Sequence, residues 1–421
     1  MIIAEIVLIV LYLINNPLAF VFATGFFCFI MFKNRTNLLQ GLLRCMIYSS
    51  PLFSISIIGN GLHQVFSWVM IFLLLYTVYI FLEIWTHGGK GSKILNISVL
   101  LVFVILIIRN LFSDTLVLGN FAELFQFIVM IVPIYFTYLS RDNIKVKLKS
   151  ININVWIKDI QNAVLATAFA VIFQYVVYKY LGVTYGNISL LNNRIIFDLF
   201  FKGYSVLSLF LSVGVVLYCD DFFDKYSLGS GLKMLIVIIA IAINSSRSGL
   251  MAAMLVCGFI FFKHLNNKKT ILLNLLILIV GIVFVYVLIK ELTISRGDSS
   301  FLVSSGREDT YIYAFNMIKN YITIFLFGGG LSSLNYTQVL PHNFILQLLL
   351  TTGIFVTLIL LIFMLGLLRY VKGSKYLYIL LAIIIGGLFI TDFHSNVFFT
   401  VFSICGIIFS CFFPNGQKDG V

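Results

Sequence analysis

The sequence predicts an all-α integral membrane protein of about 12–14 transmembrane helices with one long outer loop. Of its 421 residues, 61% are hydrophobic and only 10% are charged. The mean hydropathy is +1.07. The apolar segments are continuous rather than alternating, which argues against a β-barrel. Only five prolines interrupt the chain.

About fourteen apolar segments are predicted as membrane helices. Several are shorter than the roughly 20 residues that a perpendicular span needs. The pairs 2–14 with 17–32 and 231–244 with 248–262 could be tight hairpins, so twelve spans fit almost equally well. The first segment has no basic region before it and no clear cleavage site, so we expect it to be retained. The segments are 2–14, 17–32, 45–58, 65–85, 94–109, 120–139, 160–182, 202–219, 231–244, 248–262, 271–291, 343–368, 376–391 and 397–413.

The distribution of basic residues predicts the orientation. With a cytoplasmic amino terminus, 19 of the 28 basic residues fall in loops on the cytoplasmic side. This obeys the positive-inside rule and places the loop 292–342 outside. The other nine lie at or near the outer face and need a separate reason. They are Arg109, Lys179, Arg194, Lys202, Arg247, Lys290, Arg296, Arg307 and Lys319.

Composition and motifs exclude several function classes. The net charge of +12 is explained by topology rather than by nucleic-acid binding. The six cysteines are scattered without a CxxC or metal-like spacing, and no Walker A motif occurs. No DxD pair on the outer face offers metal ligands. Acidic residues at midspan are scarce, which weakens the hypothesis of a proton-coupled transporter.

The outer loop is predicted to contain a short amphipathic helix. Ser305 and Glu308 fit a capping box. Tyr311, Phe315 and Ile318 then form an apolar stripe at helical spacing, and Lys319 suits the carboxyl end. The following glycines at 328–330 are interpreted as a flexible joint. Together these features predict a partly folded lid over the membrane surface.

Arg247 stands at the predicted start of an apolar helix, after Asn244, Ser245 and Ser246 as possible caps. A helix start carries free N–H groups and partial positive charge, which favours an anion. Adding an arginine there indicates a phosphate or diphosphate site. The alternative is an arginine that reaches out to lipid headgroups.

Arg307 and His342 occupy similar places in the outer loop. Arg307 is in the first turn of the lid helix and could complete a diphosphate clamp, or could form an ordinary ion pair with Glu308 or Asp309. His342 follows Pro341, which suits a first helical turn. Its imidazole could accept a proton from a sugar hydroxyl, or could be an ordinary interfacial side chain.

Four further residues are weaker candidates. Asp392 and His394 lie in a short outer turn and could orient or replace the base. Arg194 and Arg296 could bind phosphate or sugar. No metal is required by this set.

Residues 231–368 contain an ordered set of motifs. An apolar run ends in SSRSGL, and a long loop opens around SGREDTY, passes through FGGGLSS and closes on PHNFILQLLLTTGI. In this set the chain resembles the bacterial O-antigen ligase and polymerase superfamily. Each piece alone is weak, but the order and spacing together are fairly specific. The amino-terminal half matches only as a set of apolar helices. We therefore divide the chain into 1–230, amino-terminal helices, and 231–421, the superfamily-like region with the outer loop.

The resemblance implies a glycosyltransferase that works on glycans carried by undecaprenyl diphosphate. Polymerases transfer the growing glycan to a new lipid-linked repeat unit, and ligases transfer it to a lipopolysaccharide core. Both branches share these motifs, while the many segments and the atypical amino-terminal half favour a polymerase. The implied location is the inner membrane with a periplasmic site. The implied partners are lipid-linked donor and acceptor, the bilayer and a chain-length regulator, without a cofactor or nucleic acid.

Two hypotheses from other classes remain. A polysaccharide flippase would need polar residues at midspan on several helices, in which this chain is poor. A non-catalytic assembly scaffold would not need two arginines and a histidine at one face.

Overall fold

The computed structural model describes most of the chain. The described residues are 1–14, 16–52, 55, 67–91, 93–111, 118–148, 154–191, 194–199, 201, 203–244, 246–264, 290, 307–331, 336, 340–390 and 397–412. The predicted class is confirmed, because the described elements are apolar helices with one short hairpin. The expected span 271–291 lies outside the described residues.

Most helices agree closely with the predicted segments, but the helix expected at 45–58 begins at Leu38 and ends at Ser49. They are α1 (Ile2–Ile14), α2 (Asn16–Lys33), α3 (Leu38–Ser49), α4 (Trp68–His87), α5 (Lys93–Leu111), α6 (Leu118–Leu139), α7 (Arg141–Lys147), α8 (Asn154–Leu181), α9 (Tyr204–Lys225), α10 (Leu228–Ile243), α11 (Arg247–His264), α12 (Arg307–Asn320), α13 (Ile322–Phe327), α14 (Phe344–Tyr370), α15 (Lys375–Gly387) and α16 (Val397–Phe412). A single 3-10 turn, Ser50–Leu52, continues α3. The strands are β1 (Asn187–Leu191) and β2 (Arg194–Leu199), which pair antiparallel.

Five of the described helices are long and apolar enough to cross a membrane. They are α2, α4, α8, α9 and α14, and the bent pair of α6 and α7 would make a sixth. Five shorter apolar stretches have 10–17 residues. The predicted number of 12–14 spans therefore stays a prediction.

The chain divides into two compact units, each built from several segments. The first unit comprises Met1–Ile30, Ile157–Ser304 and Leu381–Gly386, and the second comprises Met31–Trp156, Ser305–Leu380 and Gly387–Val421. These two units are defined by contacts within the fold. The boundary that we place at residue 230 is defined by sequence resemblance instead, and it stays a prediction.

In the first unit, α9 is the central helix and packs against α10 and α11. The α8–α9 contact is close at Gly214, where a Cβ would lie 2.4 Å from Val164 Cγ1. The hairpin was not predicted from the sequence. It is tied to the end of α10, because the Phe197 N–H donates to Asn244 Oδ1 at 3.2 Å.

In the second unit, α16 is buried over almost its whole length and packs against α3, α6 and α7. Buried polar groups join the helices: Tyr76 and Thr137 hydroxyls lie 2.7 Å apart between α4 and α6. Thr400 Oγ1 donates to the Met130 carbonyl at 3.1 Å. These bonds satisfy polar groups that would otherwise be costly in an apolar interior.

Candidate functional site

Arg247 is the first residue of α11, as predicted. Its side chain is half-buried, and its Nε atom is shielded from solvent. The positively charged guanidinium therefore lies at the positive end of the helix macrodipole. This arrangement is unfavourable by itself and is stabilised when an anion binds there. One expectation about its surroundings is wrong. Asn244 does not cap α11 but is the C-cap of α10, and its amide oxygen accepts from Phe197.

The serines around Arg247 hold α11 against α9. The hydroxyls of Ser208 and Ser246 lie 2.6 Å apart, and those of Ser246 and Ser248 lie 3.1 Å apart. Ser208 Oγ also donates to the Ser205 carbonyl at 2.8 Å. All three linked serines are buried, so their hydroxyls act inside the helix contact. Among the described residues 246–249, Arg247 is therefore the side chain suited to an external ligand.

The SRSG sequence ends in Gly249, and the structure shows why this position needs a glycine. A Cβ at this position would lie 2.3 Å from the carbonyl oxygen of Ser208 on α9. Only glycine lets the two backbones approach this closely. The motif therefore fixes where α11 begins relative to α9, and with it the position of Arg247.

Arg307 begins α12, as predicted, and is half-buried. No ion pair in the described part of the chain involves Arg307. The alternative in which it pairs with Glu308 or Asp309 is therefore not supported. Both acids are exposed in the first turn of α12, where negative charge suits the helix dipole. Ser305, the other half of the expected capping box, lies outside the described residues.

The segment that carries His342 is held next to α12. Tyr311, one turn after Arg307, donates from its hydroxyl to the His342 carbonyl oxygen at 3.1 Å. The structure therefore brings the amino-terminal end of α12 and His342 together through a contact that sequence reasoning missed. The sequence analysis places Tyr311 in an apolar stripe. In the sequence, only its hydroxyl group indicates that it can also donate a hydrogen bond.

His342 precedes the cap of α14 rather than entering the helix. Asn343 is the N-cap, and its Oδ1 accepts from the N–H groups of Ile345 and Leu346 at 3.0 and 3.1 Å. Pro341 consequently stands outside the first turn, contrary to the expectation. The half-buried imidazole belongs to a loop residue just before the start of α14.

The apolar stripe of α12 differs from the predicted one. Ala314 is the buried residue, whereas Phe315 is 61% exposed. Ala314 belongs to a small core with Ile324, Tyr336, Leu340 and Leu350, against which Ile318 also packs. The stripe is shifted because α12 packs against both α13 and α14, not against one flat surface.

The glycines at 328–330 form a tight contact and not a flexible joint. The N–H groups of Gly329 and Gly330 donate to the carbonyls of Leu350 and Thr351 at 2.8 and 3.1 Å. A Cβ on Gly328 would lie 2.2 Å from the Thr351 carbonyl oxygen. The opposing backbone belongs to a kink in α14.

At this kink, Gly353 has a φ of +77° inside the helix. A Cβ on Gly353 would lie 2.4 Å from the Leu326 carbonyl oxygen, so both sides of the contact need glycine. Arg109 adds a bond from Nε to the Gly328 carbonyl at 2.7 Å. This bond gives a structural reason for Arg109, one of the nine basic residues that the positive-inside rule does not explain.

The predicted site residues are distributed over both units and over segments outside the described residues. Arg247 belongs to the first unit, and Arg307 and His342 belong to the second. Arg194 begins β2 opposite Leu191. Arg296, Asp392 and His394 lie outside the described residues.

One group in the described part of the chain has metal-ligand chemistry. Asp220, Asp224 and His264 each place a ligand atom within 4.8 Å of the others. His264 Nε2 lies 3.7 Å from Asp224 Oδ1. His264 ends α11 and Arg247 begins it, so at 1.5 Å per residue they are about 25 Å apart. This cluster is therefore not part of the Arg247 site.

Comparison with known families finds a match in the same region for which the sequence analysis states a resemblance. The model of the O-antigen ligase family matches residues 232–361, which contain Arg247, Arg307 and His342. No curated protein matches the chain. This match supports the resemblance of residues 232–361 to the O-antigen ligase and polymerase superfamily and, with it, an O-antigen ligase- or polymerase-like function. The apolar helices and this family match indicate a multi-pass membrane protein.

Proposed function

We propose that this protein is a surface-polysaccharide polymerase. It joins repeat units carried by undecaprenyl diphosphate at the periplasmic face of the inner membrane. Arg247 and Arg307 bind the diphosphate of the donor, and His342 activates the acceptor hydroxyl. Arg194 and Arg296 are additional candidates for phosphate or sugar contacts, and Asp392 or His394 for orienting the base.

The contact between Tyr311 and the His342 carbonyl is the observation that carries the proposal. It connects the helix start that holds Arg307 to the loop that holds His342. We infer that Arg307 and His342 act at one site, because displacement of a diphosphate requires a cation for the charge that develops on the leaving group and a base for the proton that the nucleophile loses.

The proposed reaction is a single displacement. The acceptor hydroxyl oxygen forms a bond to the anomeric carbon of the donor sugar as the bond from that carbon to the diphosphate oxygen breaks. The hydroxyl proton passes to His342, and the two arginines stabilise the charge on the departing undecaprenyl diphosphate. A single displacement inverts the configuration at the anomeric carbon.

The test uses the purified protein in lipid nanodiscs with a lipid-linked repeat unit as both donor and acceptor. A polymerase gives a ladder of longer lipid-linked glycans. Arg307→Ala is expected to lower turnover by about 10²–10³-fold. Lys319→Ala is the matched control, since it removes an exposed cation from the other end of the same helix.

A ligase is the second candidate, because the matching family model is described as O-antigen ligase. A parallel reaction supplies lipopolysaccharide core as acceptor. A product on the core alone would replace the polymerase proposal with a ligase. Absence of any glycosyl transfer, with glycan lipids moved across the bilayer of a vesicle, would favour a flippase. Absence of both activities would favour a scaffold.

A further inference from the structure

An apolar groove of about 430 Å³ lies in the second unit, between α5, α6, α14 and α16. Its walls include Val102, Ile131, Phe363 and Ile407, and Gly366 leaves one wall open. The volume is within the range of about 300–1,000 Å³ that is typical of small-molecule sites. Few polar atoms line it, so its contents must be largely hydrocarbon.

The groove is far from the proposed catalytic residues of the same unit. His342 precedes the start of α14, whereas Gly366 lies near its end. The thirteen residues from the Gly353 kink to Gly366 alone rise by about 20 Å along α14. An occupant of the groove is therefore not the glycan-carrying end of the donor.

Two tyrosines line the groove, and an arginine packs on one of them. The rings of Tyr138 and Tyr370 meet edge to face with centroids 6.0 Å apart, and both residues line the groove. The Arg141 guanidinium lies 4.4 Å from the centroid of the Tyr138 ring. A cation thus contacts one of the aromatic rings that line the apolar groove.

Hydrogen bonds fix this guanidinium and leave part of it available. Arg141 Nη1 donates to the carbonyls of Lys90 and Tyr138 at 2.7 and 2.8 Å. An arginine has five N–H donors, so three remain on Nε and Nη2. The described residues offer these three no acceptor. They form the planar fork that suits a phosphate.

The surroundings fit the surface of a membrane. α7 turns by 72° from the axis of α6 and carries Arg141, Lys145 and Lys147. Ile144 on the same helix is buried, as expected for an interfacial amphipathic turn. The two acids nearby are already paired, Asp142 with Lys90 at 3.2 Å and Glu83 with Lys147.

We propose that this groove binds an acyl chain of an anionic phospholipid, with the lipid phosphate on Arg141. Basic sites between membrane helices on the cytoplasmic side are suited to anionic headgroups. The positive-inside rule predicts that α7 faces the cytoplasm, so the lipid comes from the inner leaflet. The lipid holds α5 and α14 together at the end opposite to the outer loop.

The test measures lipid bound to the detergent-purified, delipidated protein by native mass spectrometry, with phosphatidylglycerol and phosphatidylcholine titrated separately. The unaltered protein is expected to retain one phosphatidylglycerol with preference. Gly366→Leu fills the groove and is expected to weaken this binding by about tenfold or more. A Cβ at Gly366 meets no atom within 4 Å, so the substitution has room to fold.

Gly258→Leu is the matched control. Gly258 is also a helical glycine with no atom within 4 Å of its Cβ, but it belongs to α11 in the first unit. It should leave phosphatidylglycerol binding unchanged. Should Gly366→Leu fail to fold, Ser98→Leu blocks the groove from the α5 wall.

Arg141→Gln tests the headgroup. Loss of one cation near an anionic headgroup is expected to cost about fivefold in phosphatidylglycerol binding, corresponding to about 1 kcal/mol. Binding of phosphatidylcholine should fall less, because its own quaternary ammonium already balances the charge of its phosphate. The proposal is wrong if Gly366→Leu and Ser98→Leu bind like the unaltered protein, or if Arg141→Gln keeps the preference. It is also wrong if undecaprenyl phosphate displaces the phospholipid from the groove at equal concentration.

Discussion

Replacing Gly249 by alanine should separate α9 from α11 where Arg247 is positioned. The added Cβ would lie 2.3 Å from the Ser208 carbonyl oxygen and 2.5 Å from its carbonyl carbon. Ordinary contacts begin at 3.4 Å. The difference between 3.4 and 2.3 Å means that the two backbones must move apart by about 1 Å.

The expected loss of stability is the difference between two opposing effects. Alanine favours a helix over glycine by about 1 kcal/mol. Overpacking costs about 1–3 kcal/mol, and here the upper end applies because the opposing atoms belong to the backbone and cannot rotate away. The net effect is a decrease of about 2 kcal/mol in the free energy of unfolding.

The effect on activity should be larger than this loss of stability suggests. A displacement of about 1 Å at a positioning contact can lower a rate by about 10²-fold. Arg247 lies two residues before Gly249 in the first turn of α11, so it moves with the helix. We therefore expect a loss of polymer formation even at temperatures where the variant is folded.

Gly258→Ala provides the comparison, because Gly258 lies on the same helix and its Cβ would meet no atom within 4 Å. Its free energy of unfolding should stay equal or rise by at most about 1 kcal/mol. Unfolding by sodium dodecyl sulfate in mixed micelles measures both variants, and chain extension measures activity. Equal stability and activity of Gly249→Ala and Gly258→Ala would refute the close α9–α11 contact.

Four further predictions concern the site and the orientation. Arg247→Lys should restore little of the activity lost in Arg247→Ala, because a point charge lacks the planar fork of donors; full activity of the lysine variant would indicate a headgroup anchor. Tyr311→Phe should lower kcat about tenfold with little change in KM for the donor, since it removes one hydrogen bond that positions the His342 segment; an unchanged kcat would contradict this role. His342→Ala should lower turnover by about 10²–10⁴-fold while donor binding remains; a loss of donor binding equal to that of the arginine variants would make His342 a binding residue. A cysteine placed in 292–342 should react with an impermeant thiol reagent on intact cells, and one placed in 141–150 should not; the reverse pattern would overturn the topology.

Apolar runs predicted most helix bounds well because hydrophobic burial and helix length depend on the same residues. The segments 2–14 and 397–413 correspond to α1 and α16 within one residue. Errors arose where polar residues begin a helix. α8 starts at Asn154 rather than at the predicted residue 160, since its first turns include Lys158 and Asp159.

The hairpin and the glycine contacts could not be predicted from composition. β1 and β2 flank the pair Asn192–Asn193, a turn signal that the apolar surroundings obscured. The glycines at 328–330 are compatible with either a flexible joint or a close contact. Only the position of the α14 kink at Gly353 decides between the two, and that kink depends on residues more than twenty positions away.

The glycine contact changes how the outer loop should be understood. One end of the described loop is fastened to the α14 kink by the bonds of Gly329 and Gly330 and by Arg109. The other end is fastened by Tyr311 to the residue before the α14 cap. A lid held at both ends cannot swing as one flap about its glycines. Arg307 and His342 are therefore expected to keep their relative positions through the catalytic cycle.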